Sequence, residues 1–324
     1  LSAEKIRVAS AQYTLEPNRE WSALADKLDS WVGEAARAGA RLLVFPEYGS
    51  LELFRLVDRR VKERRSPERH LLGPLPIASS DRRKTESLLY ITEAIQPLVP
   101  RYLAHHAALA ARHRVYILAG SLPLQHEDGS LTNTAYFFAP DGTMSSQEKI
   151  VLTRWEKEVW GMRGGSEVRV FETDFGRIAI DICYDIEFPI VARRQAEGRA
   201  QIILAPCCCD SQRGYHRVRI GAKARALENQ AYVIQSPLMG TMDWLPSIGR
   251  CVGQAGIFGP PDLGPHVNGV LSQGPADIAG WTYADLDLVA IDRIRGSRGI
   301  ANADEWNAHL DLGPAVTGAF REVA

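Results

Sequence analysis

Two short apolar runs in this chain each end on a single reactive side chain, and this restricts the possible fold more than any other feature. Leu42-Leu43-Val44-Phe45-Pro46 ends in Glu47, and Ile178-Ala179-Ile180-Asp181-Ile182 ends in Cys183. Runs of about four to six such residues are too short for a buried helix and fit strands covered on both faces. The residue at the carboxyl end of such a strand emerges at the sheet edge, where α/β sheets tend to bind ligands. A third reactive residue, Lys149, lies in Gln147-Glu148-Lys149-Ile150-Val151-Leu152, which reads as part of a longer strand.

The rest of the chain alternates strand-like and helix-like segments. Strands are predicted over 6–13, 42–45, 115–119, 134–139, 142–152, 168–172, 177–182, 201–205, 231–236, 250–258 and 282–286. The strand at 115–119 is closed by Gly120-Ser121. Trp21, Leu24, Leu28, Trp31, Val32 and Ala35 repeat at helical spacing, and further helices are predicted over 102–113, 190–197 and 214–229. Some strands are joined by turns and others by helices, which argues for a mixed sheet with helices outside it. No linker or repeat interrupts 1–324, which reads as one domain. Residues 51–100 are the least regular part. The charged stretch at 58–65 is either a solvated surface insertion or a lid beside Glu47.

Composition excludes several classes of function. The net charge of −1 gives no electrostatic case for nucleic acid or an anionic membrane as partner. No apolar stretch reaches the roughly 18 residues of a membrane span, and the first residues have no signal-peptide pattern. Five cysteines, an odd number in 324 residues, do not suggest a disulfide framework and fit a reducing, cytoplasmic setting. The eight histidines show no metal-ligand spacing. His105, His106 and His113 are expected on a helix surface.

A carboxylate, an amine and a thiol together suffice for acyl transfer through a thioester. A thiol with a pKa near about 8.5 needs a base at neutral pH, although a helix starting at Cys183 would favour the thiolate. Glu47 can take the thiol proton and later activate water. Lys149, as a cation, can stabilise an oxyanion together with a backbone N–H near Tyr184. Each residue also has a structural alternative: Cys183 as a small buried apolar group, Glu47 as a helix N-terminal carboxylate, Lys149 as an edge-strand lysine.

Several segments carry a family resemblance. They are Val8-Ala9-Ser10-Ala11-Gln12, Leu43-Val44-Phe45-Pro46-Glu47, Asn133-Thr134-Ala135, Pro140-Asp141-Gly142 with Lys149, and Cys183-Tyr184-Asp185-Ile186-Glu187-Phe188-Pro189. In this order they resemble the Glu–Lys–Cys motifs of the carbon–nitrogen hydrolase (nitrilase) superfamily, over nearly the whole chain. The resemblance implies a four-layer α-β-β-α sandwich of two mixed sheets with outer helices. It also implies a homodimer, no metal and no organic cofactor. The implied reaction is hydrolysis of a small amide or N-carbamoyl compound at Cys183, with Glu47 and Lys149. Cys-Tyr-Asp is more similar to the amidase and carbamoylase branches than to nitrilases, which tend to have Cys-Trp-Glu, so a nitrile substrate ranks second. A catalytically idle binding or regulatory member is a further alternative. Many members carry a second glutamate after the lysine; Glu156 is favoured for that role over Glu158.

Tyr184, Asp185 and Glu187 are candidates for oxyanion or substrate binding, as are Cys207 and Asp210. The triplet Cys207-Cys208-Cys209 follows a predicted strand. It either packs as small apolar residues or places one or more thiols at the pocket.

Overall fold

The computed structural model of the protein describes residues 5–57, 90–245, 248–297, 300 and 302–308. Its strands are β1 (Ile6–Thr14), β2 (Leu42–Val44), β3 (Tyr116–Gln125), β4 (Leu131–Phe138), β5 (Met144–Glu148), β6 (Val170–Glu172) and β7 (Arg177–Ile180). They continue with β8 (Ile202–Cys208), β9 (Tyr232–Met242), β10 (Gly249–Cys251), β11 (Gly256–Phe258), β12 (Val270–Gln273) and β13 (Gly280–Leu286). The α-helices are α1 (Trp21–Arg37), α2 (Val99–His113), α3 (Pro189–Glu197), α4 (Gln212–Glu228), α5 (Leu288–Arg295) and α6 (Asn302–Ala308).

The strands form two mixed layers with the same pairing pattern. In the first, β13 runs antiparallel to β1, β1, β2 and β3 run parallel, and β4 and β5 follow antiparallel. In the second, β6 is antiparallel to β7, β7, β8 and β9 are parallel, and β11 and β12 follow antiparallel. A short parallel seam joins them, with Tyr13 opposite Leu238 and Thr14 opposite Met239.

Strand alternation decides which layer each side chain joins. Val8, Leu42, Val44 and Leu118 of the first layer share one buried cluster with Ile178, Ile180, Ile202 and Leu204 of the second. The alternate residues Ala9, Ala11, Leu43 and Ile117 face away and pack with Leu24, Leu28 and Val32 of α1 and Leu109 of α2. On the second layer Ala192 of α3 and Val218 and Ala222 of α4 cover the outer face. The result is the four-layer α-β-β-α sandwich. No helix among the described residues is long and apolar enough to cross a membrane.

Several boundaries differ from the sequence expectation. The strand predicted to close at Gly120 runs on to Gln125 as β3, with a bulge between Leu118 and Ser121. At that bulge Gly120 has φ +75°, and a Cβ there would meet the Pro46 carbonyl oxygen at 1.9 Å, so only glycine lets β3 lie this close to the Glu47 turn. β5 stops at Glu148, which puts Lys149 just past a strand end rather than inside one. β8 extends through Cys207 and Cys208, 250–258 is two strands rather than one, and β12 was not predicted. His106 is not a surface residue: it is fully buried against Tyr102 and Phe138. Within the irregular segment, Gly49–Leu56 is a 3-10 helix, buried from Gly49 to Leu53. Residues 58–89, the body of the suggested lid, lie outside the described residues.

Candidate active site

Four segment ends from both layers meet at one point. β2 delivers Glu47, the end of β5 delivers Lys149, the turn after β7 delivers Cys183, and the end of β8 delivers Cys208. Tyr48, directly after Glu47, takes φ +60°, a left-handed turn that moves the chain away from β2.

Glu47 is 1% exposed, and its two oxygens are fully engaged. Oε1 accepts from Lys149 Nζ at 2.7 Å and Asn133 Nδ2 at 2.8 Å, and Oε2 accepts from the Cys208 backbone N–H at 3.0 Å. Burial raises the Glu47 carboxyl above the usual carboxylate range, and the pull of Lys149 does not cancel it.

Lys149 also reaches Glu156, at 2.9 Å. Burial alone would lower the ammonium, but Glu156 and Glu47 outweigh it and hold it well above lysine's ordinary value. Lys149 is therefore a fixed cation. Glu156 sits in a single π-helical turn, Trp155–Val159. It accepts from Tyr48 Oη at 2.8 Å, Asn133 Nδ2 at 3.0 Å, and the Thr153 amide and hydroxyl, each at 2.9 Å. Burial pushes Glu156 up, but Lys149 and these donors bring it below the ordinary range. Glu158 instead faces outward and pairs with Arg154 at 2.6 Å.

Cys183 opens the 3-10 helix Cys183–Glu187 with φ +51°, in the left-handed region that non-glycine residues rarely occupy. Its Sγ lies 3.9 Å from the Cys208 carbonyl oxygen. The predicted assistance to a thiolate from a helix start does not prevail here. A hydrogen bond with Cys209, then burial and the Glu47 charge, push the thiol well above its usual value. The resting site therefore holds a thiol, with Glu47 as the adjacent acceptor.

The remaining sequence candidates separate into two groups. Glu47, Lys149, Glu156, Cys183, Tyr184, Glu187 and Asp210 all line one cavity of about 700 Å³. Asp185 does not line it. Asp185 accepts from the amides of Ile182 (3.0 Å), Ile150 (3.3 Å) and Val151 (2.6 Å), which ties the cysteine turn to the segment just after Lys149. Burial lifts its carboxyl to about 7. Cys207 does not line the cavity either: strand alternation turns it to the interior, where Gln235 Nε2 donates to its sulfur at 3.7 Å. Cys208 and Cys209 are the triplet members on the wall. Glu187 is held by Arg217 at 2.5 Å, and the Arg217 guanidinium also lies over the Tyr184 ring. No group of three or more potential metal ligands is found among the described residues.

Sequence reasoning missed Asn133, Tyr48 and Thr153 as site residues. Asn133 had a signal, since it opens Asn133-Thr134-Ala135, one of the segments that carry the family resemblance; it is fully buried in β4 between Thr132 and Thr134.

Comparison with known proteins agrees with this geometry. Residues 7–295 match the carbon-nitrogen hydrolase family model. The probable hydrolase YhcX of Bacillus subtilis (strain 168) is 33% identical over 294 residues, covering 91% of this chain and 52% of that protein. Omega-amidase NIT2 of Xenopus tropicalis is 32% identical over 127 residues, covering 37% of this chain and 46% of that protein. The chain thus spans about half the length of these relatives. Among solved structures, Nit3 of Saccharomyces cerevisiae superposes with a TM-score of 0.65 at 20% identity, covering 92% of this chain and 95% of that one. An amidase from Nesterenkonia sp. superposes with a TM-score of 0.63 at 20% identity, covering 96% and 98%. The motifs, the two-layer sheet and the family match over most of its length lead to one assignment: this chain belongs to the carbon–nitrogen hydrolase (nitrilase) superfamily.

Proposed function

We propose that the protein hydrolyses the C–N bond of a small amide or N-carbamoyl substrate through a thioester on Cys183. The observation that carries this reading is the buried Glu47–Lys149–Glu156 array beside Cys183, at the wall of a cavity large enough for a small molecule. Glu47 takes the thiol proton as Cys183 Sγ attacks the carbonyl carbon. Lys149 Nζ and the Tyr184 backbone N–H stabilise the tetrahedral oxyanion. Protonated Glu47 then gives its proton to the departing nitrogen, and ammonia or an amine leaves. A water loses a proton to Glu47 and attacks the thioester, the acid departs, and the thiol recovers its proton. Glu156 keeps Lys149 in place and charged, a positioning role.

Relatives support the amide class. One similar structure is a Nesterenkonia sp. AN1 amidase mutant with the acetamide moiety of fluoroacetamide added covalently at its active site cysteine. Cys-Tyr-Asp favours amides and carbamoyl compounds over nitriles. In the same proposal the protein works in a reducing cytoplasm as a homodimer. The exposed apolar Ile190 and Ile220 on α3 and α4, the helices outside the cysteine turn, support the dimer.

Intact-mass spectrometry with a panel of amides, carbamoyl compounds and nitriles tests the reaction, with ammonia release followed in parallel. We expect an acyl adduct on the wild type and none on Cys183→Ala. Ammonia release that survives Cys183→Ala would overturn the mechanism.

A further inference from the structure

All five cysteines of the chain, Cys183, Cys207, Cys208, Cys209 and Cys251, are free thiols. Four of them, all but Cys207, line the cavity described above. Hydrolysis at Cys183 needs only one. Among the others, Cys208 Sγ lies 3.3 Å from Cys251 Sγ.

The backbone supports this approach. β8 pairs with β9 as far as Cys208 opposite Leu238, and β10 takes over along β9 with Cys251 opposite Gly240. The Val252 amide donates to the Cys209 carbonyl at 2.8 Å, which holds the two segments side by side. A disulfide has an S–S length of about 2.05 Å, so the two sulfurs need to close by about 1.3 Å, within reach of small side-chain rotations. Cys208 is also tied to the reacting groups through its backbone. Its N–H donates to Glu47 Oε2 at 3.0 Å, and its carbonyl oxygen lies 3.9 Å from Cys183 Sγ.

We propose that Cys208 and Cys251 form a reversible disulfide under a peroxide, and that this bond switches the site to a less active state by shifting the Cys208 peptide against Glu47 and Cys183. The step balances: two thiols give up two electrons and two protons to one hydrogen peroxide, one S–S bond forms, and two waters leave. A dithiol reductant reverses it and is itself oxidised to a disulfide. A cysteine outside the catalytic set thereby gains a role, and hydrolysis becomes coupled to the redox state of the surroundings.

The test uses the full chain as wild type, Cys183→Ala and Cys251→Ser, each treated with hydrogen peroxide. Non-reducing peptide mapping is expected to give a linked Cys208–Cys251 peptide, lacking two hydrogens, in wild type and in Cys183→Ala. Wild-type hydrolysis should fall by roughly tenfold, the scale of one lost hydrogen bond to Glu47, and return with dithiothreitol. Cys251→Ser, compared with its own untreated activity, should show neither the linked peptide nor the dithiothreitol-reversible part of the loss. Absence of the peptide from wild type and Cys183→Ala, linkage to a different cysteine, or linkage with unchanged hydrolysis would each overturn the proposal. The peptide map does not depend on the proposed amide chemistry. If the untreated enzyme turns over no substrate, the rate of iodoacetamide labelling at Cys183 replaces hydrolysis as the readout, with slower labelling expected after linkage and an unchanged rate counting against it.

Discussion

Two glutamates five positions apart, Glu47 and Glu52, are both about 1% exposed, and each holds a lysine ammonium, that of Lys149 buried and that of Lys27 partly buried. Their chemistry still diverges. Glu52 accepts from Tyr13 Oη at 2.7 Å, the Glu16 amide at 2.6 Å and Lys27 Nζ at 2.5 Å. Lys27 is further occupied by the Thr14 carbonyl and the face of Tyr13. This pair ties α1 to the end of β1 and lines no described cavity. Glu47 holds its lysine at a similar distance, but a thiol and open space lie beside it. Burial raises both carboxyls. A buried ion pair with a shifted carboxyl therefore does not identify a reactive site; a nucleophile and room for a substrate do.

Four experiments would break or sharpen this contrast. The largest effect is expected from Glu47→Gln, which should lower kcat by roughly 10³-fold while leaving the fold intact, since general-base catalysis is removed. Glu52→Gln should leave kcat within about twofold and appear in thermal or urea unfolding instead. A large kcat loss from Glu52→Gln in a folded protein would end the distinction.

The lysines come next. Lys27→Met and Lys149→Met each leave a buried carboxylate without its cation, at about 3 kcal/mol or more of stability. Chemical denaturation should show both losses. Only Lys149→Met should also abolish acyl-adduct formation at denaturant concentrations where the protein remains folded.

The third experiment concerns His106, which packs against Tyr102 on the helix-covered face where Glu52 lies. Burial pushes its imidazole down to about 4 from an ordinary 6.5. Between those values the unfolded chain binds the extra proton and the native state does not. Stability therefore rises with pH across that window and is lost as pH falls through it, by about 3 kcal/mol in all. His106→Leu should flatten that limb in urea titrations from pH 7 to 4. The acid limb of kcat/KM, by contrast, should follow Glu47 and stay in place in this variant.

The smallest effects come from matched hydroxyl deletions. Tyr13→Phe removes one donor from Glu52 and Tyr48→Phe removes one from Glu156. Each should cost about 1–2 kcal/mol of stability by calorimetry. Only Tyr48→Phe should also change kcat, through the hold of Glu156 on Lys149.

Side chains announced part of this arrangement. Apolar runs gave away β2 and β7, and with them the positions of Glu47 and Cys183, because a buried strand must be apolar on both faces. Lys149 was identified through the motif it shares with a family, although its local segment was misjudged: an amphiphilic hairpin strand does not mark its own end. The extended β3 was missed because glycine usually signals a turn, whereas Gly120 serves a close approach to Pro46 that exists only in the folded chain. The Cys208 amide was illegible for a different reason. A backbone N–H carries no residue identity, so its aim at Glu47 follows from strand register alone. Glu52 and its partner Lys27 gave no pattern either, since exposed and buried ion pairs use the same letters.

The division of the site between two sheet layers also bears on how it comes into being during synthesis. Glu47, Lys149 and Glu156 lie in the part of the chain made first, and the nucleophile and the Cys208 amide in the part made later. The last strand among the described residues, β13, pairs with the first, β1, with Leu286 opposite Ile6. Synthesis must therefore pass β13 before β1 acquires that neighbour and the first layer is complete. The acid–base half and the thiol half meet along a different seam, between β1 and β9, with Tyr13 opposite Leu238. The proposed reaction therefore has no complete cavity wall until synthesis has passed Cys251, the last of its lining residues.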